Sequence, residues 1–92
     1  MDDLFLQLET PGEVRKNIGG LVKKLRKSRK ISQQELAESL NLKRQTIKKV
    51  ESGKNFNIDT LLRIFQHFEI LETFADFIDE LGEDFDEIDS LY

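Results

Sequence analysis

The sequence has no cysteine, a single proline and a single histidine. Without thiols there is no disulfide framework and no thiolate metal site, and one imidazole leaves little for histidine-based catalysis. No apolar run approaches the roughly 18 residues of a membrane span. The first residues carry Asp2 and Asp3 where a secretory leader would be positive, so a cytoplasmic, nucleoid-associated protein is expected. No hydroxyl or carboxylate stands out with a partner at catalytic spacing, and the acids near the C-terminus lack a calcium-loop pattern. No catalytic residue, metal or cofactor is therefore expected. A chain of 92 residues makes one small domain. Such a domain buries only roughly 60 to 65% of its unfolded surface, so pairing with a second copy would help it.

Charge is present in both signs but segregated. The net charge of -4 would argue against a nucleic-acid partner if taken whole. Residues 1–14 have four acids and no base, whereas residues 15–54 hold thirteen Lys or Arg against Glu35, Glu38 and Glu51, a local +10. Residues 55–92 set Arg63 against eleven acids, a local -10. The middle can displace counterions from phosphates, and the acidic end is repelled by the same duplex.

Within that basic middle, the stretch Ile31–Gly53 reads ISQQELAESLNLKRQTIKKVESG. Ser32 and Glu35 form a capping box, so a helix starts at Gln33 with Leu36, Ala37 and Leu40 inward. Asn41 tolerates the left-handed conformation of a helix stop. A second short helix, over 43–52, turns only Ile47 and Val50 inward and is ended by Gly53. Its remaining surface is Lys43, Arg44, Gln45, Thr46, Lys48 and Lys49. Two short helices joined by a turn, the second basic outside, form an arrangement that lays its second helix in the DNA major groove. Arg44 can bridge guanine O6 and N7, Gln45 can bridge adenine N6 and N7, and Thr46 can offer its methyl to thymine. Lys48 and Lys49 flank the same face one turn on. Phosphate contacts fall to Lys43, Lys54, Asn55 and the amides at the start of the first helix, at Ser32.

The residues Ser32, Gln33, Glu35, Leu36, Ala37, Thr46, Ile47, Glu51, Gly53 and Lys54 resemble the pattern of the lambda repressor and Cro class of helix-turn-helix proteins, the Xre family. The likeness extends from about Ile18 to Phe68. It implies a compact all-α, five-helix lambda-repressor-like DNA-binding domain. It also implies that Gln33 grips phosphate and braces the reading helix, that Lys49 reaches bases, and that Glu51 pairs with Arg26 late in helix 1. The family has a proline near Phe56; here aromatic packing takes its place.

Around this centre, Thr10-Pro11-Gly12-Glu13 predicts a second capping box opening helix 1. Val14, Ile18, Leu21, Val22 and Leu25 form a single apolar stripe. Gly19-Gly20 marks either a bend or a close helix contact, and Arg26–Lys30 forms a cationic last turn. Asn57 caps a fourth helix carrying Ile58, Leu61, Leu62, Ile64, Phe65 and Phe68. A break near Glu69 leads to a fifth helix. Leu71, Phe74, Phe77, Ile78 and Leu81 give it more apolar surface than one small core uses, which marks it as the dimer interface. The expected organisation is an arm over 1–10, the DNA-binding domain with its dimerisation helix over 11–81, and an acidic tail over 82–92. The arm's DLFLQLE is either a frayed segment or a short strand pairing with its copy. The tail is either disordered or a docking segment.

The expectation is a homodimeric transcriptional regulator, an autorepressor reading an inverted-repeat operator in double-stranded DNA. The alternatives are a HipB-like antitoxin, which binds operator and a kinase-like toxin together, and a phage or plasmid control protein without a protein partner.

Overall fold

The computed structural model describes residues 9–86; the arm's DLFLQLE, apart from Glu9, and the tail beyond Asp86 lie outside them. The described residues form five α-helices and no strand: α1 Pro11–Ser28, α2 Gln33–Ser39, α3 Arg44–Glu51, α4 Ile58–His67 and α5 Leu71–Glu83. Helix starts follow local polar chemistry. The Ser32 hydroxyl accepts from the Glu35 N–H at 3.0 Å, and the Glu35 carboxylate accepts from the Ser32 N–H at 2.8 Å, a complete capping box. Asn57 Oδ1 accepts from the Asp59 N–H at 2.7 Å. At Thr10 only half of the expected box forms: its hydroxyl accepts from the Glu13 N–H at 3.1 Å, and the reciprocal bond is not made.

Helix ends follow one rule. Lys30, Asn41, Gly53 and Glu69 all have positive φ, at 56°, 55°, 76° and 61°. In each case the next N–H reaches back five residues: Ile31 to the Arg26 carbonyl, Leu42 to Ala37, Lys54 to Lys49 and Ile70 to Phe65. This is the Schellman closure, which satisfies a carbonyl left orphaned by the helix end. Asn41, Gly53 and the break at Glu69 agree with the sequence. Lys30 does not: α1 stops at Ser28 instead of carrying its cationic turn to Lys30. At Lys30 and Glu69 the left-handed backbone costs on the order of 1 kcal/mol. The following residue, Ile31 or Ile70, packs against the core and offsets it.

The core is Val22 from α1, Leu36, Ala37 and Leu40 around α2, Ile47 and Val50 from α3, and Leu61, Ile64, Phe65 and Phe68 around α4. α3 packs on both α1 and α2, and α5 lies on α4. Phe56 is half-buried against this core and shapes the approach to α4. The Arg63 guanidinium donates to the Leu40 carbonyl, tying α4 to the end of α2. Arg29 lies 4.8 Å from the Phe68 ring centre and donates to the His67 carbonyl at 3.2 Å. Three predicted core residues are corrected: Val14, Leu21 and Ile58 are exposed, Ile58 at 58%. The fully buried strip of α1 is narrow, comprising Gly19, Val22 and Arg26, and the main helix packed on it is α3. α5 runs through Gly82 to Glu83, so the acidic tail begins inside the helix.

Of the two glycines in α1, Gly19 is the contact. A Cβ on it would stand 2.4 Å from the Val50 carbonyl oxygen and 2.7 Å from that of Glu51. A Cβ on Gly20 would meet nothing within 4 Å. Gly19→Ala is therefore expected to push α1 from α3 and destabilise the fold by about 2 to 3 kcal/mol. Gly20→Ala is expected to stabilise it by up to about 1 kcal/mol through helix propensity. Urea unfolding of the two variants measures both, and equal effects of the same sign would contradict this packing.

Candidate nucleic-acid interface

The pair α2 and α3 is joined by Leu40–Lys43, with the left-handed Asn41 at its corner. Ile47 and Val50 anchor α3 and are fully buried. Opposite them, Arg44, Gln45, Lys48 and Lys49 are exposed, as are Lys43 before the helix and Lys54 and Asn55 after it. Thr46 is half-buried on the flank, so less of its methyl is offered than the sequence suggests. The first turn of α3 has no acid and no side-chain cap. Its free amides and Arg44 thus present only donors outward. Ser32 is exposed, with its hydroxyl engaged in the capping box.

One acid in α3 points inward. The Arg26 guanidinium donates from Nε to Glu51 Oε2 at 2.7 Å and from Nη2 to Oε1 at 3.1 Å. Its remaining Nη1 donates to the Ile31 carbonyl at 2.9 Å, closing the α1–α2 turn. Gln33 Nε2 donates to Glu51 Oε1 at 3.1 Å. The two charged side chains are 10% and 4% exposed, so the carboxylate is desolvated and fully paired. Its hydrogen bonds raise the Arg26 pKa above its ordinary value; burial opposes this and Coulombic attraction adds to it. The Arg26–Glu51 pair implied by the resemblance is formed, and Gln33 joins it. No sequence signal marked Ile31 as the third acceptor.

Sequence reasoning also missed Arg15. Its Nε donates to the Gly53 carbonyl at 2.9 Å, which holds the loop after α3 down on α1. Gly53 is pressed so closely on α1 that a Cβ there would stand 2.8 Å from Lys16 Cα. A pair 38 residues apart has no local signature. The loop and the start of α1 together enclose a concavity lined by Lys16, Lys49, Ser52, Lys54 and Asn55.

Other candidates separate from this surface. The His67 ring packs edge-on against Phe68 at 5.3 Å, and no group of metal-binding side chains assembles among the described residues. In α5, Leu71 and Phe74 are half-buried on their own core, with Phe74 edge-on to Phe65 at 5.4 Å. Phe77, Ile78 and Leu81 are 56%, 51% and 47% exposed. No described helix is long and apolar enough to cross a membrane.

Residues 22–74, from the middle of α1 to the first turn of α5, match the family model HTH_3, Helix-turn-helix. No curated protein matches the chain.

Removing the Glu51 carboxylate leaves Arg26 buried without its counter-charge. Glu51→Ala is expected to destabilise the fold by about 3 to 5 kcal/mol. Gln33→Ala, which removes a single hydrogen bond to a charged acceptor, is expected to cost about 1.5 to 3 kcal/mol. Thermal or urea unfolding ranks the two; a larger loss for Gln33→Ala would overturn the assignment of Glu51 as the hub.

Proposed function

The chain belongs to the Xre-type helix-turn-helix family, whose members bind DNA and regulate transcription without catalysis, and from that premise we propose that it is a homodimeric autorepressor of an inverted-repeat operator. The observation that carries this reading is the exposed row Arg44, Gln45, Lys48 and Lys49 on a helix whose inner side is locked by Ile47, Val50 and the Glu51 network. Rigid support lets long polar side chains select bases instead of only attracting phosphates. Arg44, Gln45, Lys48 and Lys49, with Thr46 at the flank, read the major groove. Ser32, Gln33, Lys43, Lys54 and Asn55 grip the backbone on either side. The dimer interface is α5, whose exposed stripe is Phe77, Ile78 and Leu81, with Phe77 also lining an apolar groove with Ile18, Leu21 and Phe74. Leu71 and Phe74 support that face from below. Two copies would set their reading helices about 34 Å apart on one side of the duplex.

A HipB-like antitoxin is a second reading, favoured by the acidic face of that same helix. Glu72, Asp76, Asp79, Glu80 and Glu83 lie on the side away from its apolar stripe, and no base occurs from Ile70 to Asp86. Such a surface suits a basic protein partner. A neighbouring reading frame for a kinase-like protein whose product forms a stable complex with this chain would favour it.

Selection from random duplex DNA at about 150 mM salt, with the mass of the complex recorded, tests the principal reading. The expected result is an inverted repeat bound by two chains; recovery of no motif would sink it. Arg44→Ala is expected to relax base preference and cost about 1 to 3 kcal/mol on the operator, whereas Lys54→Ala weakens all sequences alike. Equal losses on operator and random DNA for Arg44→Ala would remove the base-reading role. Phe77→Glu is expected to give a folded monomer with reduced operator affinity, measured by sedimentation and DNA titration.

A further inference from the structure

The outer face of α3 is bordered by α1, an element to which no DNA contact has been assigned. Gly19 lets the two helices meet, its missing side chain leaving room for the Val50 and Glu51 carbonyls. Lys16 stands three residues before it and Lys23 four after, so both lysines flank that contact on one side of α1. Both are exposed. Lys16 lines a concavity with Lys49, Lys54 and Asn55, and Lys23 lines another with Gln33 and Lys48. The two concavities meet at Ser52. Ser52 lies seven residues, two helical turns, beyond Gln45, and so prolongs the outward row of α3.

We propose that Lys16 and Lys23 form a phosphate-binding ridge, so that α1 is a third DNA-contacting element beside α2 and α3. The proposal rests on the DNA-binding reading of α3 and extends its footprint along the sugar-phosphate backbone. The two lysines are about 10 Å apart along the helix, far enough to meet separate phosphates. The chemistry suits that ligand. No acid lines the concavity at Lys16. The only acid lining the one at Lys23 is Glu51, whose two oxygens are taken by Arg26 and Gln33. The start of the Lys16 stem packs against Gly53, which Arg15 holds in place, while the residue as a whole is exposed. A tethered stem with a free charge loses less side-chain freedom on meeting a phosphate than an untethered one.

The test is the salt dependence of DNA binding for the full chain and for Lys16→Ala, Lys23→Ala, the double variant and Lys24→Ala. Lys24 is an exposed α1 lysine that lines neither concavity. The double variant is expected to lower the slope of log affinity against log salt by about 1.8, which makes the loss between about 50 and 200 mM salt about twelvefold smaller than in the parent. Each single variant accounts for about half of that slope change, on operator and random DNA alike, with the selected bases unchanged. Circular dichroism confirms that the variants remain folded. An unchanged slope in the double variant, or an equal change for Lys24→Ala, overturns the ridge. If the parent chain selects no operator, the operator reading fails by itself, and the slopes on random duplex still decide the role of α1.

Discussion

The orientation of α3 depends on the Glu51 carboxylate. It accepts from Arg26 of α1 and Gln33 of α2 while belonging to α3, so one buried anion joins three helices. Apolar side chains of similar volume would hold the helices together about as well, because burying an ion pair carries a large desolvation cost. They would not define the rotation of α3 about its own axis as sharply. A carboxylate held at both oxygens by planar donors permits one orientation, and that orientation directs Gln45 outward when Ile47 and Val50 are inside.

The short helices owe their stability to their ends more than to their length. α2 and α3 are 7 and 8 residues long, far below what an isolated helix needs. The capping box starts α2, and the closures at Asn41 and Gly53 stop α2 and α3 within a turn of the core residues they must present. The same closure at Lys30 and Glu69 stops α1 and α4. Arg15 then clamps the loop after α3, so the exposed Lys54 and Asn55 stand on anchored backbone.

Charge segregation divides the labour among the helices. The exposed cations lie on α1, the turn and α3, and the acids of α5 lie on a helix whose exposed stripe is Phe77, Ile78 and Leu81. A polyanion is drawn to the first surface and repelled from the second. The two surfaces can therefore serve different partners, and salt acts on them in opposite senses when the partner of α5 is a second acidic copy.

The sequence by itself determined what depends on neighbours within a helical turn. The Ser32–Glu35 box, the Asn57 cap, the stops at Asn41 and Gly53 and the inward pair Ile47–Val50 were legible because each is a local hydrogen bond or a local phase. The Arg26–Glu51 pair was legible only through the family resemblance, and the roles of the outward cations were legible as chemistry without their surroundings. Tertiary structure alone decided the rest. Periodicity gives the phase of an apolar stripe but not how much of it finds a partner, so Val14, Leu21 and Ile58 remain exposed. Lys30 and Glu69 adopt a backbone that their own side chains disfavour because burial of Ile31 and Ile70 outweighs the local strain. Gly19 and Arg15 have their roles only because α3 and its loop come to rest on α1, a contact set by the packing of the whole chain.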